Sequence, residues 1–146
     1  MSASLQYCTF FLDGLFFGVE VQNVQEVICY QEMTRIPLAS RAVQGLINLR
    51  GQIVAAIDLR HRLELRSRPT DQYPMNVVVR TEEGPISLLV DEIGDVLEID
   101  ENLFERSPET LKGVARNLIR GAFKLKDQLL LALDIEQTVN ISTHPN

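Results

Sequence analysis

At 146 residues and 45% hydrophobic content, the chain has the size of one globular domain able to bury a sizeable core. A formal net charge of -6 argues against a phosphate-binding surface, because nucleic-acid affinity rests largely on clustered positive charge. No apolar run reaches the ~18 residues that span a bilayer, no charged start leads to a small-residue cleavage site, and Cys8 and Cys29 are too few for a disulfide scaffold, so the expectation is a soluble protein in a reducing cytoplasm.

In chain order, residues 5–12 and 15–21 are aromatic-rich β-prone runs joined by Asp13-Gly14, a dipeptide that favours a two-residue hairpin turn. Val21, Val24, Val27 and Ile28 recur at helical spacing, and Asn23 with Glu26 has the form of a capping box, which predicts a helix of one or two turns. Thr34-Arg35-Ile36-Pro37 then leads into a loop ending by Ala42. Residues 43–63 are the organising stretch: Gly45 and Gly51 bracket one apolar run and open a second, giving strand, tight turn, strand. The turn carries Asn48 and Arg50, and the arginine's five donors suit either the tying of loop carbonyls or contact with a partner. The second strand is expected to end at Ile57, with Asp58 capping a helical turn over 59–63, and Ile53 and Ile57 are expected to share one buried face.

Residues 64–73 have little apolar content and read as an exposed connector, and the cluster Arg60, Arg62, Arg66 and Arg68 reads as part of that solvated segment. A further hairpin is predicted for 74–80 and 85–90, then a strand over 93–99 with Gly94 as a bulge. Between 100 and 117 the pattern leaves open a loop or a helical turn starting at Ser107-Pro108. Residues 118–125 and 128–133 predict a last hairpin around Lys126-Asp127, Asp134 and Gln137 suit a cap on a short helix over 135–139, and 142–146 are expected to fray. About a dozen short strands without long helical crossovers point to one or two small β-barrels rather than a parallel sheet.

Catalytic chemistry is not encoded in recognisable form. His61 sits between Arg60 and Arg62, His144 lies in the tail, and there is no GxSxG elbow, GxGxxG loop, P-loop or HExxH motif. Asp91, Glu92, Asp95, Glu98, Asp100 and Glu101 lack the spacing of a calcium loop and read as a solvated acidic face, so no metal or other cofactor is expected. A nucleic-acid-binding barrel would need aromatic residues on a basic face, whereas Tyr7, Phe10, Phe11, Phe16 and Phe17 have no basic residue among them and read as core.

The order Gly45-x-x-Asn48-Leu49-Arg50-Gly51-x-Ile53-Val54 followed by Ile57-Asp58-Leu59-Arg60 resembles the signature of the CheW family of chemotaxis coupling proteins. The resemblance continues through Val24-Gln25-Glu26-Val27 and Thr34-Arg35-Ile36, then Asp95-Val96-Leu97, Gly121-Ala122 and Leu133-Asp134-Ile135-Glu136. Ala55 stands where many relatives carry proline, a change that costs nothing in strand pairing.

The resemblance implies a mainly β fold of two small five-stranded SH3-like barrels around a shared core, with a few short helices. It implies one domain over 1–141, the first barrel roughly 13–66 and the second roughly 67–141 with the N-terminal strand. It also implies a non-enzymatic cytoplasmic adaptor that joins the tips of membrane-bound chemoreceptors to a CheA-like histidine kinase, without entering the membrane or binding nucleic acid. The same family type also serves twitching motility and second-messenger pathways, so the output stays open. The 146 residues leave no room for a receiver domain, which disfavours adaptors that carry one. The receptor-binding positions carried over are Val24, Glu26, Val27, Gly45, Asn48, Arg50, Ile53 and Val96, and the resemblance indicates no kinase-contact residues. Each has a plainer reading: the valines as core, Glu26 as a helix cap, Arg50 as a loop tie.

Overall fold

The computed structural model describes residues 4–36, 42–106 and 113–140. Asp13 and Gly14 both adopt positive φ, 48° and 79°, the turn geometry that matches strand twist, and they join β1 (Ser4–Leu12) to β2 (Leu15–Glu20) with Leu12 opposite Leu15. The helix expected next does not form. A single 3-10 turn, Val21–Asn23, leads into β3 (Val24–Ile28), whose Val24, Val27 and Ile28 are β-branched, stiff at χ1 and suited to a pleated surface. Pairing with β6 (Met75–Thr81) supplies the backbone partners a helix would have given, and Glu26 caps nothing.

The central hairpin forms as expected from β4 (Val43–Leu49) and β5 (Gln52–Asp58), closed by Arg50 and Gly51 at φ 52° and 88°. Asn48 Oδ1 accepts a bond from the Gly51 amide at 2.8 Å and so ties the turn. The strand runs one residue past Ile57, and Asp58 Oδ1 accepts from the Arg60 amide at 3.1 Å, capping the one-turn α1 (Leu59–Arg62). β7 (Gly84–Val90) returns along β6, and β8 (Glu92–Asp100) then pairs with β1 across the expected bulge. Phe10 faces Ile93 and Cys8 faces Val96, so Gly94 and Asp95 both lie across from Thr9, whose hydroxyl donates to the Asp95 carbonyl at 2.5 Å. The undecided stretch contains the 3-10 turn Glu101–Leu103, β9 (Phe104–Glu105) and α2 (Val114–Leu118). The proposed start at Ser107-Pro108 and the tail 142–146 lie outside the described residues. β10 (Ile119–Lys124) and β11 (Leu129–Leu133) form the last hairpin, and Asp134 Oδ1 accepts from the Gln137 amide to cap α3 (Ile135–Val139), as expected.

The strands make two sheets, in the orders β8-β1-β2-β11-β10-β9 and β3-β6-β7-β5-β4. Thr34, just past β3, exchanges two backbone bonds of 2.8 Å with Leu46 of β4, which curls the second sheet toward closure. The fold is thus mainly β with two small curled sheets, one of them carrying the two-residue β9 as a sixth strand. Where the sequence reading divides the barrels near residue 66, the hydrogen-bonded division is nested: β6 and β7 join β3 and β5, so the chain changes sheet at the Val21–Asn23 turn and at Asp91. The reason is that β5 and β7 pair in parallel, and a parallel pair needs a crossover, here the connector with β6.

Alternation along the strands builds three cores. Phe10, Phe17, Ile57, Leu88, Leu131 and neighbours fill the layer shared by the sheets. Tyr7, Phe16, Phe123 and Leu130 cover the far face of the first sheet, and Ile47, Val54, Val78 and Leu89 that of the second. Ile57 is 1% exposed, as expected, but Ile53 is 61% exposed, because it lies on the hairpin tip outside the shared layer.

The arginine cluster is not a solvated connector, nor is the acidic run wholly a solvated face. The side chains of Arg60, Arg68 and Asp91 are each 8% exposed. Arg60 Nη2 donates to Asp91 Oδ2 at 2.6 Å, Arg68 Nε to Oδ1 at 3.0 Å, and the Asp13 amide to Oδ2 at 2.7 Å. Exposed Arg66 donates to Asp13 at 2.7 Å. Burial alone pushes the Asp91 carboxyl up, but the bonds from Arg60, the Asp13 amide and Arg68 outweigh it and hold the group below its ordinary value.

Two outcomes follow for stability. Ile57→Ala is expected to cost about 2–5 kcal/mol and Ile53→Ala within about 0.5 kcal/mol, read as urea midpoints at constant slope. Because the folded pKa of Asp91 is depressed, its contribution is present above about pH 4 and is lost as pH falls through the folded value. Asp91→Asn removes the shared carboxylate and leaves Arg60 only a 3.9 Å ionic contact with Asp13 and Arg68 only a 3.5 Å ionic contact with Asp58, which should cost up to about 3–5 kcal/mol at neutral pH. Acid titrations of unfolding should therefore show a shallower loss of stability below about pH 4 in the variant than in the parent.

Candidate protein-binding surface

The expected site residues fall into three groups. At the tip of the β4–β5 hairpin, Arg50 reaches across to Glu26 of β3: Nη1 donates to Oε1 at 3.0 Å, and Nη2 donates to Oε2 in a second, shorter bond. Arg50 therefore does not tie loop carbonyls, and the turn is held instead by Asn48 Oδ1, which accepts from the Gly51 amide. Its side chain is 69% exposed and that of Glu26 21%, so the pair forms a two-pronged polar ridge on the surface. The guanidinium holds the Glu26 carboxyl below its ordinary range, and the carboxylate in turn raises Arg50. Asn48 and Ile53 lie directly opposite one another in the hairpin, and both are exposed.

Val24 and Val27, the second group, lie on β3 opposite Val79 and Val77. Val24 packs against the shared core, whereas Val27 is partly open to solvent. The third group is made of residues apart from the ridge. Gly45 is buried, and a Cβ there would lie 2.8 Å from the Thr34 carbonyl oxygen, so glycine permits the close approach that makes the Thr34–Leu46 bridge. Val96, 57% exposed, stands on β8 of the other sheet opposite Cys8, and no described hydrogen bond or ion pair joins it to Glu26 or Arg50.

Beside the ridge runs an open cleft lined by Tyr30, Met33, Leu46, Asn48 and Ile53. Tyr30 and Tyr73 meet at 4.7 Å between ring centroids, adding aromatic surface next to it. Sequence reading did not single out Tyr30, Met33 or Leu46. Tyr30 and Met33 lie in a short β-prone stretch, 29–33, and Leu46 in the first apolar run of the central hairpin, and neither pattern says anything about exposure. Chemically, an ion pair bordered by exposed Ile53 and a cleft in which Gln31, Glu32 and Thr34 alternate with apolar side chains suits the recognition of another protein. Among the described residues no group of three or more His, Cys, Asp or Glu is arranged to hold a metal, and no helix is long and apolar enough to cross a membrane.

Two curled β-sheets around a shared apolar layer define a small two-barrel β protein of the SH3-like type. The chain belongs to the CheW-like domain family, whose model matches residues 6–142. It is 27% identical over 136 residues to the chemotaxis protein CheW of Treponema pallidum, covering 90% of this chain and 80% of that protein. It is 28% identical to the proteins of the same name from Bacillus subtilis, covering 86% and 80% of the two chains, and from Thermotoga maritima, covering 90% and 85%. Its fold matches the crystal structure of the scaffolding protein TtCheW from Thermoanaerobacter tengcongensis at a TM-score of 0.85 and 24% identity, over 95% of this chain and 94% of that one.

Removing the guanidinium should release Glu26. In Arg50→Ala, a carboxyl-detected NMR titration is expected to place the Glu26 midpoint above that of the parent, back toward its ordinary value, because the hydrogen bond from Arg50 is what chiefly holds it down. An unmoved midpoint would dissolve the ion pair as a solution feature.

Proposed function

We propose that this chain is a non-enzymatic chemotaxis adaptor that couples the cytoplasmic tip of a chemoreceptor to a CheA-like histidine kinase. The observation that carries the reading is the Glu26–Arg50 ridge, exposed beside Ile53 and the Tyr30–Met33–Leu46 cleft on a rigid sheet. Such a surface offers directional polar contacts at its centre and apolar area around them. Family membership supplies the rest of the support: the relatives bear the name chemotaxis protein CheW, and the solved neighbour is described as a scaffolding protein.

In this reading Val24, Glu26, Val27, Asn48, Arg50 and Ile53 contact the receptor, Gly45 shapes the strand beneath them, and Val96 contributes from the first sheet. Residues 1–141 act as one unit held at membrane-bound receptor arrays from the cytoplasmic side. Individual contacts are modest and gain from the effective concentration of an assembled array.

The test pairs folding with binding. Glu26→Ala and Arg50→Ala should melt close to the parent, since exposed charges contribute little to stability, yet bind a receptor-tip fragment at least about tenfold more weakly. A variant that melts many degrees lower while its folded fraction binds normally would assign that residue to the scaffold. Calorimetric binding of ATP or zinc at micromolar levels would overturn the adaptor reading altogether.

A further inference from the structure

The chain passes between its two sheets at two places, and an arginine from the second sheet's side grips each of them. At the first, the Val21–Asn23 turn, Arg80 of β6 donates through Nη1 to the Gln22 carbonyl at 3.0 Å and the Val24 carbonyl at 2.9 Å. At the second, the whole crossing is Asp91, the one residue between β7 and β8. Its carboxylate takes Arg60 and Arg68, while its amide donates to the Phe11 carbonyl at 3.0 Å. Arg62, on the same helical turn as Arg60, reaches the other way. Its Nε donates to the Thr138 carbonyl at 3.0 Å and its Nη2 to the Gln137 carbonyl at 2.9 Å, which fastens α1 to α3 of the first sheet's side.

These bonds stand beside an apolar layer that already holds the sheets together, so adhesion alone does not require them. Hydrophobic burial is non-directional and specifies an angle only through the fit of side chains, whereas guanidinium bonds to fixed acceptors specify it directly. The cluster is also a poor device for stability. Buried ion pairs lose much of their attraction to desolvation, and Nη2 of Arg68 is buried with no partner among the described residues. We propose that Arg60, Arg62, Arg68 and Arg80 form an orientational clamp that sets the angle between the two barrels. The proposal rests on the adaptor reading for its consequence: a clamp of this kind fixes the relation between surfaces on the two barrels, so that one chain can engage two partners at once. Asp91 is its positioning residue, and α1 is its pivot.

The clamp is tested on the whole chain by spin-label distances in a Cys8→Ser/Cys29→Ser background. Labels at Glu83→Cys and Lys126→Cys span the sheets, Glu83→Cys with Gln52→Cys stays within the second, and Glu98→Cys with Lys126→Cys stays within the first. Arg62→Ala/Arg80→Ala is the primary variant, because both arginines bond carbonyls near the surface and the buried Asp91 cluster is left whole. The expected result is a spanning distribution roughly doubled in width, as for a released hinge, with the distributions inside each sheet unchanged. Asp91→Asn should widen it further, and the primary variant keeps the test standing where that one fails to fold. An unchanged spanning width, or equal widening within the sheets, overturns the clamp.

Receptor-tip and kinase-domain fragments, titrated singly and together, test the consequence. Single affinities should stay within about threefold while joint assembly weakens by about tenfold, because simultaneous engagement depends on geometry. Joint assembly equal to the parent's despite a widened distribution overturns the functional half of the proposal. A parent that binds neither fragment overturns the adaptor reading, and the label distances then judge the clamp alone.

Discussion

The structure depends on a constraint that small β proteins rarely face in so few residues: each of its two sheets must bury both faces. One face of each turns toward the layer they share, where Phe17, Ile57, Leu88 and Leu131 meet, and the other closes over a private core. This is why the strands read as nearly continuous apolar runs instead of clean alternations, as in Val77, Val78 and Val79, all buried. It also explains the polar residues tolerated inside. Asn76 is wholly buried, yet its side chain donates to the Cys29 carbonyl and accepts from Ser87, so no desolvation penalty is left standing there.

What was legible in the sequence was local. Asp13-Gly14, Asn48 with Gly51, Asp58, and Asp134 with Gln137 each act within four residues, and each does in the structure what its chemistry predicts. The segment 21–28 misled because valines at positions 21, 24 and 27 fit a helical period, and nothing local reported that β6 waits to pair with them. The basic cluster misled for the same reason at longer range. Arg60 finds Asp91 thirty-one positions away, and a charge counted without its partner reads as solvated.

The candidate site shows the same division. Glu26 and Arg50 were singled out separately, with a cap and a loop tie as their plainer alternatives, and the bond between them spans 24 positions that no motif connects. Gly45 was a candidate contact whose burial beneath Thr34 shows it as a spacing device. Ile53 went the other way, from expected core to open surface, which strengthens its place in a binding surface. Parity along a strand tells which face a residue is on, but not where the opposing sheet stops covering that face.

The nested topology also orders events in time. β2 lies against β11 in parallel, Phe17 opposite Leu131, so the first sheet joins the two ends of the chain and stays incomplete until the last hairpin exists. The second sheet, by contrast, draws all its strands from residues 24–90. On a ribosome, the aromatic-rich β1–β2 hairpin emerges before its partner β11 and waits for it, with Phe10 and Phe16 uncovered while residues 24–90 close. Long-range pairing of this kind makes folding slow and leaves sticky strands in the open. The acidic side chains of Glu92, Asp95 and Glu98 along the outer strand β8 place like charge on the edge where stray pairing between nascent chains would begin.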